Sequence, residues 1–142
     1  MARHDENVEL VQRGVDAYNR GDMQQVVEVF DPEVEVYTSP GLINAGTYRG
    51  HEGFLTWLTN WDEAWEEFRI EIEGIESVGD HHVIVDVLQH ARGLGSGAEV
   101  EMRLVQLYEI RTGKVSRFHL YLDRDAALTA ARRFTEDPDA AA

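Results

Sequence analysis

One amide side chain, Gln106, interrupts a row of apolar residues on a predicted β-strand. Side chains in a strand alternate between two faces, so every second residue shares a face with Gln106. That row consists of Val100, Met102, Leu104, Gln106, Tyr108 and Ile110. A buried amide without a partner costs about 1–3 kcal/mol. Gln106 therefore either bonds a backbone group or a water in an ordinary core, or donates to a ligand carbonyl or enolate, which makes it the candidate catalytic residue.

Aromatic side chains on a predicted helix could form the wall of a cavity beside this amide. Trp57 and Trp61 lie one turn apart on the helix, and aromatic residues over a sheet either fill the core or face a flat, hydrophobic cyclic ligand. On a neighbouring strand, Gln89 would lie nearer the rim, where contact with solvent is the alternative to a ligand. Together with Gln106, the candidate pocket residues are Tyr18, Tyr37, Ser39, Trp57, Trp61, Gln89, Phe118 and Leu120.

The opposite face of the same strands mixes charged and polar side chains with apolar ones. One interpretation is an acid/base site in which His90 or His119 acts as the base. The other is an ion-pair network at a protein interface, which the mixture of charge with Ile84, Val105 and Leu107 favours. We therefore predict a homodimer face made up of Asp86, His90, Arg103, His119 and Tyr121.

Composition argues against several other classes of site and partner. The chain has no cysteine, which excludes disulfides, thiolate nucleophiles and cysteine-bound metals. The histidines form no H-x-x-x-H or H-x-H pair, so we predict neither a metal site nor a cofactor. A net charge of −14 argues against nucleic acid or an anionic membrane surface as a partner. No stretch has the pattern of a signal peptide or a membrane span, which predicts a cytoplasmic protein.

The periodicity of apolar residues predicts the elements that position these groups. It indicates helices over 5–19, 22–30, 51–68 and 126–134, and strands over 33–38, 69–75, 82–92, 98–110 and 114–123. The segment 39–50, rich in glycine, is predicted to be a loop that forms a lid or a pocket wall. This order favours an α+β fold, a cone-shaped barrel of a curved antiparallel sheet wrapped around three helices that lie on one of its faces.

Three stretches of the sequence resemble the nuclear transport factor 2-like superfamily, and within it the SnoaL-type polyketide cyclases. They are VQRGVDAYNRGDMQQVVEVFDPEVEVY, YRGHEGFLTWL and YEIRTGKVSRFHLYLD. The resemblance runs from about 5 to 130 and implies the cone-shaped fold and sheets that pack back to back as dimers. The superfamily hosts isomerases, cyclases, epoxide hydrolases, dehydratases and binding proteins, so the resemblance alone does not select one activity.

The ketosteroid isomerases, whose first helix is similar to VQRGVDAYNRGD, use residues that have no counterparts in this chain. The positions at which that family carries its catalytic tyrosine, carboxylate base and buried acid are here Gly14, Thr38 or Ser39, and Gln106 or Val105. The inner-face aspartate of the SnoaL-type cyclases falls at Leu120. The resemblance therefore does not bring either catalytic machinery to this chain.

We predict one SnoaL-like domain over 1–134, followed by a disordered tail over 135–142. The domain would bind a hydrophobic cyclic or polyketide-like small molecule, or act on it as a cofactor-independent isomerase- or cyclase-like enzyme. The reaction would then transfer a proton at a carbon next to a carbonyl, with Gln106 orienting the substrate. No strong base is visible in the sequence to complete it. The alternative is a non-catalytic, dimeric interaction module whose core is filled.

Overall fold

The computed structural model of the chain describes residues 2–42 and 44–140. In these described ranges, four helices and six strands form one α+β unit around a curved, open sheet. The elements are α1 Ala2–Arg20, α2 Met23–Val29, β1 Phe30–Thr38, β2 Gly46–Arg49, α3 Gly50–Asp62, β3 Trp65–Val78, β4 His82–Gly93, β5 Glu99–Arg111, β6 Lys114–Tyr121 and α4 Arg124–Glu136. The predicted fold class is confirmed, with the differences described below.

Local signals in the sequence set the first two helices. Val11 and Val15 are buried on the inner side of α1. Gly21 adopts the left-handed conformation (φ 77°) that ends the helix without strain. The Asp22 side chain then accepts a hydrogen bond from the Gln25 backbone N–H at 3.2 Å, which caps α2.

The strands are ordered β2-β1-β6-β5-β4-β3, and every neighbouring pair is antiparallel except β1 and β6. These two strands run parallel, with Glu35 opposite Arg117 and Tyr37 opposite His119. The sheet is therefore mixed rather than purely antiparallel. This pairing joins the two halves of the chain and brings residues of β1 beside residues of β6.

Two hydrophobic clusters lie on opposite faces of the sheet. On the concave face, Val85, Leu104 and Phe118 pack with α1, α2 and α3 in the main core. On the convex face, Leu107 and Tyr121 pack against Ala131 and other residues of α4. The helices are thus not confined to one face as predicted, because the apolar residues of the convex side also need a cover and α4 provides it.

Other differences from the predicted elements lie near α3. The predicted loop 39–50 contains β2, which pairs with β1. The third helix ends at Asp62, and Trp65 already belongs to β3. A bulge between Trp65 and Glu67 shifts the alternation, so Trp65 and Phe68 both pack against the concave core although they are three residues apart.

The end of the chain is held against the sheet as far as it is described. The Arg117 guanidinium donates from Nη2 to the carbonyl oxygens of Pro138 at 2.9 Å and Ala140 at 2.6 Å. The predicted disordered tail also includes 141–142, which lie outside the described residues. Within the described part of the chain, no helix combines the length and the hydropathy needed to cross a bilayer.

Candidate functional site: the concave cavity

A small cavity of about 60 Å³ lies between the helices α1, α2 and α3 and the concave face of the sheet. Its wall is almost entirely apolar or aromatic, and besides the indole N–H groups of Trp57 and Trp61 its polar side chains are two glutamines and two tyrosines. These four are Tyr18, Gln89, Gln106 and Tyr108. An apolar cavity with a few convergent polar groups is the usual form of a small-molecule site.

Gln106 lies in the middle of β5, where it is 2% exposed. The neighbouring strands place Val85 and Leu120 beside it. Its Oε1 atom accepts a hydrogen bond from the Tyr108 hydroxyl at 2.8 Å. Burial raises the pKa of Tyr108, so that hydroxyl stays protonated and remains the donor. The oxygen of the amide is thus fixed, and its NH₂ group, which can donate two hydrogen bonds, is oriented by the same contact.

Gln89 on β4 is the second amide of the cavity, and it is also only 2% exposed. Its Oε1 atom is buried and has no hydrogen-bond partner among the described residues. The sequence interpretation placed this amide nearer the rim, in reach of solvent, whereas the structure buries it beside Ile70 of β3. An unpaired buried acceptor costs about 1–3 kcal/mol, so a hydrogen-bond donor that reached this oxygen would stabilise the folded protein.

Stacked aromatic rings form the wall of the cavity opposite the sheet. The rings of Trp57 and Trp61 are 5.7 Å apart and nearly parallel, at an interplanar angle of 22°. Trp57 also meets Phe118 edge to face, with ring centroids 5.6 Å apart. Its indole Nε1–H donates to the Thr38 hydroxyl at 2.9 Å, which fixes the ring in place. The wall is therefore rigid on the Trp57 side.

The structure brings most of the candidate pocket residues together around this cavity. Gln106 lines it together with these candidate pocket residues: Tyr18, Trp57, Trp61, Gln89, Phe118 and Leu120. Tyr37 and Ser39 are placed elsewhere. Val36 and Thr38 point to the core from β1, so the alternation sends Tyr37 to the convex face. Ser39 follows the end of β1, where its backbone N–H donates to the Leu120 carbonyl at 3.0 Å.

A tyrosine and a carboxylate join α1 to α3 beside the cavity. The Tyr18 hydroxyl donates to Asp62 Oδ1 at 2.7 Å. Burial raises the pKa of Asp62, and the hydrogen bond from Tyr18 offsets this only in part. Burial, followed by the bond to Asp62, raises the pKa of Tyr18, so its hydroxyl stays protonated. Sequence reasoning does not find this contact, because no local spacing links two residues 44 positions apart.

The predicted dimer-face residues divide into two groups. Asp86, His90 and Arg103 are accessible on the convex face, where Arg103 bonds Glu73 at 3.1 Å. His119 and Tyr121, in contrast, are 0% and 9% exposed and pack in or beside the cluster under α4. These two residues cannot meet a partner directly across this face, because α4 covers them. The prediction is corrected for these two residues and stays a prediction for Asp86, His90 and Arg103.

A buried network of charged groups surrounds Arg117 on this side of the sheet. Arg117 Nη1 donates to Glu109 Oε2 at 3.0 Å, and its Nε lies 3.4 Å from Glu35 Oε2. His82 and Ser116 also bond the Glu109 carboxylate, at 3.2 and 2.8 Å. Burial alone would raise the pKa of Glu109, but these bonds and the Arg117 charge outweigh it and lower the pKa to about 2. Among the residues 2–42 and 44–140, no group of three histidine or carboxylate side chains is arranged to hold a metal ion.

Several solved structures share this fold. The TerC protein co-crystallised with polyporic acid is 20% identical, with a TM-score of 0.75 over 93% of this chain and 99% of its own. A protein of ketosteroid isomerase-like fold from Catenulispora acidiphila, in complex with trimethylamine, is 16% identical, with a TM-score of 0.70 over 85% and 90%. A protein from Jannaschia sp. CCS1, assigned as a SnoaL-like polyketide cyclase, is 21% identical, with a TM-score of 0.71 over 89% and 92%. At these identities the similarity shows the fold alone.

The sequence comparison gives the family directly. No functionally curated protein matches the chain. The model of the SnoaL-like domain family, however, matches residues 11–118, which span α1 from its middle through most of β6 and include both cavity glutamines. The predicted resemblance is confirmed, and the chain belongs to the SnoaL-like domain family.

Proposed function

We propose that the chain binds a small, hydrophobic cyclic or polyketide-like molecule in the concave cavity. The observation that carries this proposal is the Gln89 oxygen, which is buried in a mostly apolar wall and has no hydrogen-bond partner among the described residues. A ligand hydroxyl or N–H would satisfy it. The family match and the neighbours crystallised with polyporic acid and with trimethylamine support small-molecule binding as the general role.

The two amides would form hydrogen bonds with different groups of the ligand. The Tyr108 hydroxyl already donates a hydrogen bond to Gln106 Oε1. We therefore expect the Gln106 NH₂ group to donate to a ligand carbonyl or enolate oxygen. Gln89 would accept from a donor nearer Tyr18. A cavity of about 60 Å³ is smaller than the roughly 150 Å³ that holds a benzene ring in a protein core. A cyclic ligand therefore has to displace side chains, and the Tyr18–Asp62 contact is the one we expect to open.

If the ligand is also a substrate, we propose proton transfer at a carbon next to a carbonyl, without a cofactor. Gln106 would stabilise the developing enolate through its NH₂ group. Asp62, which is exposed but within hydrogen-bond distance of the cavity residue Tyr18, would take the proton, because its pKa is raised above the ordinary aspartate value. Tyr18 would hold Asp62 in position until the substrate enters.

Replacing either amide with leucine tests the binding site. We expect Gln89→Leu to raise the free energy of unfolding by about 1–3 kcal/mol, because it removes an unpaired buried acceptor. Gln89→Leu and Gln106→Leu should each weaken ligand binding by about threefold to tenfold, the equivalent of one lost hydrogen bond. Binding would be measured by tryptophan quenching and by the melting temperature against steroids, polyketide aromatics, terpenoid epoxides and fatty acids.

Gln24→Leu provides the matched control. Gln24 is exposed on α2, so this variant makes the same chemical change at a position away from the cavity. It should leave ligand affinity unchanged. A ligand that binds all four proteins equally would contradict the pocket. A panel in which no compound binds would favour the second candidate function, a non-catalytic dimeric interaction module with a filled core, which the small cavity volume also suits.

We also propose that the chain forms a homodimer through Asp86, His90 and Arg103 on the convex face. Arg103→Glu should then weaken the dimer, because it reverses a charge at the interface. Arg13→Glu, the same change on the exposed side of α1, should not. Sedimentation over a range of protein concentrations would give both dissociation constants. Equal constants for the two variants and the unmodified chain would place the dimer contact elsewhere.

A further inference from the structure

Three buried polar groups on the convex side form a hydrogen-bonded relay that the concave site does not use. His119 Nε2 lies 2.8 Å from Glu35 Oε2, and His119 Nδ1 lies 2.9 Å from the Tyr121 hydroxyl. His119 is fully buried, Glu35 is 6% exposed and Tyr121 is 9% exposed. The parallel pairing of β1 with β6 brings the carboxylate to the imidazole across 84 positions of sequence.

The direction of each hydrogen bond in this relay can be assigned. Burial would raise the pKa of Glu35, but the bond from His119 and the charges of Arg117 and Arg49 lower it overall, so Glu35 is a carboxylate and can only accept. His119 Nε2 must therefore carry a proton. Burial lowers the pKa of His119, so the ring is neutral and its Nδ1 is an acceptor. The Tyr121 hydroxyl consequently donates to His119.

Tyr121, although mostly covered by α4, is one of the residues that line a groove between α4 and the strands β1 and β6. The groove has a volume of about 380 Å³, several times that of the concave cavity. The Tyr37 and Phe134 rings and the methyl groups of Ala126 and Ala130 form its apolar surface. Because the Tyr121 proton is directed to His119, the Tyr121 oxygen can accept a further hydrogen bond but has no proton left to donate.

We propose that this groove is a second small-molecule site, and that it takes a small aromatic molecule with a hydroxyl group, of the phenol class. The ligand hydroxyl donates to the Tyr121 oxygen, while the ligand ring lies against Tyr37 and Phe134. The relay gives the site its selectivity, because His119 and Glu35 keep Tyr121 from acting as the donor. A molecule of the same shape that carries no donor, such as an aryl methyl ether, lacks this contact.

The test compares para-fluorophenol with para-fluoroanisole by fluorine NMR titration. For the unmodified chain, we expect saturable binding of the phenol that is stronger than binding of the ether. Tyr121→Phe should weaken phenol binding by about threefold to tenfold, the effect of one hydrogen bond, and leave binding of the ether unchanged. Tyr108→Phe removes the same hydroxyl from the concave cavity and should leave binding of the phenol unchanged.

A second variant keeps the proposal testable if Tyr121→Phe does not fold. Thr129 is exposed at the groove on α4, so Thr129→Phe should fold and fill the groove, and phenol binding should be lost. Phenol binding that responds to Tyr108→Phe but to neither groove variant would assign the ligand to the concave cavity and overturn the proposal. The absence of saturable phenol binding would overturn it as well. Because the proposed function concerns the other face, either result leaves it intact.

Discussion

Replacing Arg117 with methionine is expected to lower the free energy of unfolding by about 3–5 kcal/mol, the cost of removing one partner from a buried ion pair. Methionine preserves much of the aliphatic volume of the arginine side chain, so the lost stability is due mainly to the missing charge. Both Glu35 and Glu109 would lose the guanidinium that lies 3.4 and 3.0 Å from them. The carbonyl oxygens of Pro138 and Ala140 would lose their donor. Urea unfolding of the purified variant would measure the change.

Two further variants separate charge from packing in this result. Arg92→Met also removes an ion-paired arginine, but Arg92 is partly exposed on β4, so the expected loss is about 0–1 kcal/mol. Adding Glu35→Gln and Glu109→Gln to Arg117→Met removes the uncompensated charges and should recover part of the stability. If the triple variant is as unstable as the sum of its parts, the network acts through shape and not through charge.

Acid is expected to destabilise the protein strongly between the ordinary glutamate pKa of 4.5 and about 2. The pKa of Glu109 is lower in the folded chain than in the unfolded one, so the unfolded state binds more protons in this range. The contribution is complete above the unfolded pKa and is lost as the pH falls through the folded pKa. A difference of that size corresponds to about 3 kcal/mol. Glu35, whose pKa is also lowered, acts in the same direction.

Unfolding by urea at neutral pH and at several acidic pH values would measure this dependence. Glu109→Gln should be less stable at neutral pH, because Arg117 and His82 lose their charged partner, and its stability should change less with acid. Glu66→Gln, at an exposed position on β3, should keep the acid sensitivity of the unmodified chain. A Glu109→Gln variant with the same acid sensitivity would assign the effect to other carboxylates.

Much of the fold could be predicted because it depends on local patterns. The alternation along β5 placed Gln106 on the same face as Leu104 and Tyr108, and the structure puts all three in or around the concave core. The same rule, applied to β1, could have located Tyr37. Val34 and Val36 are the apolar members of that strand and are both fully buried, so Tyr37 between Val36 and Thr38 has to face the other way.

The remaining features depend on contacts between distant parts of the chain. No spacing in the sequence shows that β1 will pair with β6, and only that pairing brings Glu35 to His119. The bond between Tyr18 and Asp62 likewise joins the ends of two helices. The position of α4 had a weaker signal, since Ile84, Val105 and Leu107 on the convex face are too apolar to remain uncovered.

The parallel pair β1 and β6 also has a consequence for how the domain folds. Hydrogen bonds inside the sheet connect the first strand of the chain to the last, so the long segment between them has to close into a loop before the core is complete. Contacts of such long range slow folding. A nascent or truncated chain that ends before Lys114 exposes the unpaired side of β1, an edge to which other strands can add. The last strand thus links β1 and β2 to the rest of the sheet, and fragments without it are expected to aggregate rather than fold.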